Sequence, residues 1–203
     1  MAQERFTKED LIHLLRTIDE DLDRRIRIVL IGGTALTFLG IKDSTRDIDM
    51  NVPSKADYRE LRRVLTALGF EGQAPRTWIT DQGYNIDIFV GDYIFVISLL
   101  DDYMNLSKSV GEFHNIDLYV LNEYDLIITK LTRSDERDLD DIRTIFERTE
   151  IDHRRLIDRY KETLGDVSVV RDAKENLLYL FENFLPSIGI NVEGEDLEVI
   201  REW

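Results

Sequence analysis

Two carboxylates two residues apart, Asp47 and Asp49 in RDIDMNV, have a spacing that could do chemistry. In an extended segment, side chains at i and i+2 share a face and stand roughly 6–7 Å apart at the backbone, close enough to share one cation. Unpaired, they would repel each other. Mg2+ or Mn2+ relieves that repulsion, because these hard ions take carboxylate and phosphate oxygens and leave room for a nucleotide's own phosphates. D-x-D is short, and the same pair would also suit a solvated strand face. Upstream, Gly32-Gly33-Thr34 closes IRIVLIGG and opens a helical stretch. Glycine lets an anion approach the backbone, amides at a helix start carry partial positive charge, and Thr34 adds a hydroxyl. A glycine pair before a helix is also an ordinary tight turn, and this one is neither a P-loop nor GxGxxG. In the order glycine turn, short helix and D-x-D strand, however, the pieces set a phosphate cradle opposite a metal-binding pair. Such an arrangement suits a triphosphate and its metal.

The surrounding pattern supplies elements to hold these residues. TKEDLIHLLRTIDEDL repeats Leu11, Leu14, Leu15, Ile18 and Leu22 at spacings of three and four, which predicts an amphipathic helix beginning at Thr7. IRIVLIGG predicts a strand, and RDIDMNV alternates with period two. SKADYRELRRVLTALG predicts a helix capped by Ser54, burying Tyr58, Leu61, Val64, Leu65 and Leu68 and stopping at Gly69. YNIDIFV predicts another alternating strand with Asp87 in its middle, and YIFVISLL and IDLYVL two more. From Asn122 the pattern turns to nearly continuous helix: NEYDLIITKLTR, DERDLDDIRTIFERT, DHRRLIDRYKETLG with Asp152 as cap and Gly165 as stop, and VRDAKENLLYLFENFL before Pro186. The fold expected is therefore α/β (α+β), a mixed sheet with flanking helices over residues 1–121, followed by a helical part over 122–203 packed against it.

Composition narrows the chemistry. The 203 residues include no cysteine, so a disulfide framework, a thiolate zinc site and a cysteine nucleophile are excluded. His13, His114 and His153 lie far apart and fit no HExxH spacing, so any metal must bind to oxygen. A formal net charge of −15 disfavours indiscriminate binding to a phosphate backbone while leaving room for a local basic groove. The charged start MAQERFTKEDL and the lack of any apolar run of membrane-spanning length predict a cytoplasmic protein with no membrane partner.

The stretch GGTALTFLGIKDSTRDID resembles the signature of the nucleotidyltransferase superfamily that includes DNA polymerase β, a Gly-Gly or Gly-Ser turn followed about ten to twelve residues later by D-x-D. The resemblance implies a palm-like fold and transfer of a nucleoside monophosphate from a nucleoside triphosphate such as ATP to an acceptor. It further implies that Asp47 and Asp49 bind two Mg2+ or Mn2+ ions, that Asp87 is the third carboxylate, and that Thr45 and Arg46 lie near ribose and metal. Thr34 departs from the serine common in that superfamily but keeps the hydroxyl. The second half, YDLIITKLTRSDERDLDDI, is similar to a narrower group, the AbiEii-type toxin nucleotidyltransferases. By that likeness Lys130 would neutralise phosphate, Arg133 and Arg137 would support it, and Asp138 with Asp141 would orient the lysine or join the metal site. The same stretch also reads as two charged helices with i,i+4 pairs such as Arg137 with Asp141. The implied acceptor is a tRNA end or a protein hydroxyl, and an antitoxin protein is an implied partner. The alternative is a non-catalytic nucleotide- or partner-binding module of the same fold.

Several other residues read better as structure. Asp81, Asp92, Asp101 and Asp102 compete with Asp87 but sit less clearly mid-strand. His114, Trp78, Tyr84 and Tyr93 fit a surface or core role, and Arg24, Arg25, Arg27, Arg59, Arg62 and Arg63 suit solvated faces better than an RNA-binding rim.

Overall fold

The computed structural model describes residues 5–79, 85–133, 136–165 and 172–203, leaving Asp81 and Tyr84 outside the described residues. Along the chain, α1 (Lys8–Asp21) is followed by β1 (Ile26–Leu30), α2 (Gly32–Phe38), β2 (Ile48–Val52) and α3 (Lys55–Ala67). Then come β3 (Glu71–Gly72), β4 (Thr77–Ile79), β5 (Asn85–Val90), β6 (Tyr93–Ile94), β7 (Ile97–Ser98), α4 (Tyr103–Leu106), β8 (Lys108–Ser109) and β9 (Ile116–Val120). The remainder is helical: α5 (Glu123–Leu131), α6 (Glu136–Arg148), α7 (His153–Leu164), α8 (Ala173–Tyr179), a π-helical turn (Leu180–Phe184), α9 (Leu185–Ser187) and α10 (Gly194–Arg201). The chain divides into two compact units, Met1–Ile94 with Asp101–Asn122, and Phe95–Leu100 with Glu123–Trp203.

In the first unit, a mixed α/β architecture is built on a sheet of order β3-β4-β5-β2-β1-β9-β8 among the described residues. The pairs β1/β9 and β2/β5 are parallel, while β1/β2, β3/β4, β4/β5 and β8/β9 are antiparallel. Ile26, Ile28, Val29 and Leu30 of β1 are all buried, as a strand inside a sheet covered by helices requires. Helices α2 and α3 pack on β1 and β2, and α1 packs on both helices. Sequence signals place these helices well. Thr7 and Asp10 form a reciprocal capping box at the start of α1, and the Ser54 hydroxyl accepts from the Asp57 amide at 2.9 Å. Leu11, Leu15 and Ile18 are buried on α1 and Leu22 just after it, as are Leu61, Val64 and Leu65 on α3.

In the second unit, α5 packs against α6 and α7, and α10 against α7 and α8. The Asp152 side chain accepts from the Arg155 amide at 2.9 Å, and Gly165 follows α7 at φ 42°. A fully buried Asp125 on α5 receives two hydrogen bonds from Arg159 on α7, Nε to Oδ1 at 2.7 Å and the terminal nitrogen to Oδ2 at 2.8 Å. This planar, two-pronged pairing fixes the crossing of the two helices.

Besides the short elements β3, β4, α4 and β8, which were not anticipated, three elements differ from the sequence reading. YIFVISLL is not one strand, because Phe95 turns the chain at φ 55° and leaves two-residue strands on either side. The helix expected up to Pro186 is interrupted by the π-helical turn before α9. A further helix, α10, follows Glu193 and was not anticipated.

Candidate active site

Parallel pairing of β2 with β5 sets Asp49 directly beside Asp87. Neighbouring strands lie about 4.8 Å apart, and residues in register share a face. The alternate residues Ile48, Met50, Ile86 and Ile88 are buried, so both aspartates project from the other face, where each is half-buried. On the far side of β5, antiparallel β4 places Thr77 beside Asp87, and the Thr77 hydroxyl donates to Asp87 Oδ1 at 2.6 Å. A row Thr77, Asp87, Asp49 thus crosses three strands on one face.

The glycine turn is built around the D-x-D backbone. Gly32 has φ 56°, a left-handed conformation that glycine adopts without a steric penalty. A Cβ on Gly33 would stand 2.8 Å from Thr45 Oγ1, so this position requires a missing side chain. Two hydroxyls donate to the Asp47 carbonyl, Thr34 Oγ1 at 3.2 Å and Thr45 Oγ1 at 3.0 Å. The Thr34 hydroxyl also accepts from the Asp49 amide at 2.8 Å. Thr34 is fully buried and its one proton goes to the Asp47 carbonyl, so it anchors the backbone of the D-x-D segment. Thr45 is itself held by paired backbone bonds to Phe6. The two glycines in this stretch are thus called for by backbone conformation and space, and the two threonines by hydrogen bonds to the D-x-D backbone.

Asp47 and Arg46 lie in the bend just before β2, each half-buried. The ladder that aligns Asp49 with Asp87 begins at Ile48 and does not include Asp47. Among the described residues, no three His, Cys, Asp or Glu side chains are gathered as a metal-holding group. The chemistry of the in-register pair nevertheless fits a hard divalent cation, with two carboxylates side by side and phosphate oxygens able to complete the shell. Asp92, Asp101 and Asp102 are exposed and outside the ladder.

The second group of sequence candidates clusters within the helical unit. Lys130, near the end of α5, is 1% exposed, and its ammonium donates to Asp141 Oδ2 at 2.6 Å and Asp138 Oδ1 at 3.2 Å, both on α6. Arg133 donates to the same Asp138 oxygen at 2.9 Å and lays its guanidinium 4.0 Å from the centre of the Phe95 ring. Two cations and two carboxylates balance. Asp141 is thus engaged by Lys130 rather than only by the i,i+4 neighbour Arg137, which is exposed.

Among the remaining candidates, Trp78 is buried and Tyr93 exposed, and His114 is exposed with its backbone amide bound to Asp19. Of the arginines, Arg24 pairs with Asp57, Arg25 with Asp117 and Arg63 with Glu60. Sequence reasoning missed Thr77 and a buried polar knot under β2. There Asn51 donates to the carbonyls of Gly91 at 2.7 Å and Phe89 at 3.3 Å, while Tyr103 donates to Asn51 Oδ1 at 3.1 Å. Desolvation, with a smaller contribution from the Asp92 charge, pushes the Tyr103 phenol up to about 12. The period-two pattern does place Asn51 on the Asp49 face, and that was the available signal.

The fold is thus a mixed α/β sheet flanked by helices, with a carboxylate pair in register beside a glycine turn. The chain belongs to the family described as "Nucleotidyltransferase of unknown function (DUF6036)", whose model matches residues 9–187. Among solved structures it is similar to a Thermotoga maritima protein described as a candidate nucleotidyltransferase, at 15% identity and a TM-score of 0.45, covering 73% of this chain and 100% of that one. No curated protein matches it significantly. No helix among the described residues is long and apolar enough to cross a membrane.

Proposed function

We propose that the protein transfers a nucleoside monophosphate from a nucleoside triphosphate to an acceptor hydroxyl. The carrying observation is the in-register pair Asp49 and Asp87 on adjacent parallel strands, in a chain that belongs to a nucleotidyltransferase family. Asp49 and Asp87, with Asp47 two residues upstream of Asp49, would hold Mg2+ or Mn2+, which when bound supplies stabilisation of the charge building on the α-phosphate and the departing pyrophosphate. Asp87 would orient the attacking hydroxyl. The Thr34 and Thr45 hydroxyls hold the backbone that presents Asp47 and Asp49, while the turn at Gly32 and Gly33 gives a phosphate access to the chain. Arg46, half-buried in the bend before β2, is the nearest cation in sequence for a phosphate or ribose oxygen. Lys130 with Asp138, Asp141 and Arg133 supports the helical unit, and a direct phosphate role for Lys130 would require it to leave two carboxylates.

The acceptor reading is a protein hydroxyl or a docked tRNA end. The net charge of −15 and the ion-paired arginines favour compact acceptors over long nucleic acids. A toxin role with an antitoxin partner rests on the resemblance of YDLIITKLTRSDERDLDDI alone. The test is incubation with labelled nucleoside triphosphates, Mg2+ or Mn2+, and total RNA or cell extract. Label should reach RNA or protein, and both Asp49→Asn and Asp87→Asn should lower the rate by at least about 100-fold, the scale for losing one group that stabilises developing charge. Unchanged transfer in either variant would sink the proposed site.

One observation favours a second reading, a nucleotide-binding module without turnover: the three aspartates are not gathered into a metal-holding group. Titration calorimetry with each triphosphate, with and without Mg2+, separates the two. Binding without pyrophosphate release over any acceptor would favour the module.

A further inference from the structure

We infer that Thr77 is a positioning residue for Asp87, fixing its carboxylate so that the Asp49–Asp87 pair receives a divalent cation; the inference rests on the metal site of the proposed function. A lone aspartate on a strand rotates its carboxylate broadly about the terminal torsion, because that sp³–sp² bond has no sharp staggered wells. Here the rotation is restrained. Thr77 is β-branched and therefore stiff at its first torsion, and strand pairing with β5 fixes its backbone opposite Asp87. Its single proton goes to Asp87 Oδ1 at 2.6 Å, a short bond of the kind made to a carboxylate. With one oxygen tethered, the carboxylate plane is set and Oδ2 remains to bind a further ligand.

The direction of the tether follows from the strand order. β5 lies between β4 and β2, so Thr77 holds Asp87 from one side while Asp49 stands in register on the other. Both residues are half-buried, where water competes less well for the bond than on an open surface. A partner that orients a metal-binding side chain in this way typically changes metal affinity 10- to 100-fold when removed. Thr77 would touch neither substrate nor metal, and it would act through Asp87.

The probe is Mn2+ alone, with its affinity read from the electron paramagnetic resonance signal of the free ion and folding checked by circular dichroism. Thr77→Val, which preserves shape and branching, should weaken Mn2+ binding at least about 10-fold. Thr77→Ser, which keeps the hydroxyl, should restore it to near the wild-type value, a rescue that a purely packing role would not give. Asp87→Asn should weaken binding at least as strongly as Thr77→Val. If the wild-type protein and Asp87→Asn differ as expected but Thr77→Val binds like wild type, or Thr77→Ser fails to rescue, the inference falls while the metal site stands. If the wild-type protein binds no Mn2+, or Asp87→Asn binds as well as wild type, the metal site and the inference fall together. Should Thr77→Val not fold, Thr77→Ala is measured in its place with the same outcomes.

Discussion

A buried hydroxyl can be recognised by what happens when it is removed. Tyr103 is 5% exposed and gives its proton to Asn51, whose amide in turn holds the carbonyls at the end of β5. Tyr103→Phe keeps the ring but leaves the Asn51 oxygen without that donor, and should cost about 1–3 kcal/mol in urea unfolding. The effect also depends on pH. The folded phenol titrates at about 12 against 10.0 for the ordinary group, so its contribution is complete below pH 10 and is lost as pH rises through the folded value. Wild type should therefore lose stability between about pH 10 and pH 12, and Tyr103→Phe should lose less. The phenol of Tyr160 is also raised by burial, so part of the alkaline loss will remain in the variant.

At the scale of elements, α5 and α6 are joined by charges inside the protein. Removing one partner of a buried ion pair typically costs about 3–5 kcal/mol, because the opposite charge stays behind in a poorly solvated place. Lys130→Met, similar in length and without charge, should destabilise the helical unit by that order in thermal unfolding. A loss below about 1 kcal/mol would show that Asp138 and Asp141 do not depend on it. Helices α1, α3 and α7 were legible in the sequence because apolar residues recur at helical spacing and Thr7, Ser54 and Asp152 announce their starts. Strands β2 and β5 were legible too, and so were Asp49 and Asp87 as outward residues on alternating runs. Their adjacency was implied by the superfamily resemblance alone, because β5 joins β2 across the intervening β3 and β4, and period-two alternation does not reveal strand order. Thr77 was missed because the short strand that carries it, β4, was not read as a strand. Phe95 was misread because a left-handed residue without glycine leaves no local signature, and the Asp125–Arg159 pair because its members lie on different helices.

For the molecule as a whole, 41 acidic against 26 basic side chains make self-repulsion a general cost of folding. Salt should relieve it. Raising NaCl so that the Debye length falls from ~30 Å to ~8 Å should raise the unfolding temperature, although surface pairs such as Arg154 with Asp158 weaken at the same time. A fall in the unfolding temperature by differential scanning calorimetry would mean that the ion pairs outweigh the net charge. The family match extends over both units, so the functional unit to be assayed is the whole chain.

The pairing of β1 with β9 also has a consequence for the order of events during synthesis. Ile26 and Ile116 lie near opposite ends of the first unit's sequence, yet they are sheet neighbours in parallel register. Contacts between such distant residues form slowly because a long loop must close before they yield any stabilisation. While the ribosome is still making the intervening segments, β1 lacks the neighbour on its β9 side. The nascent chain therefore presents an apolar edge, and Ile26, Ile28 and Leu30 are where a chaperone would be expected to bind first.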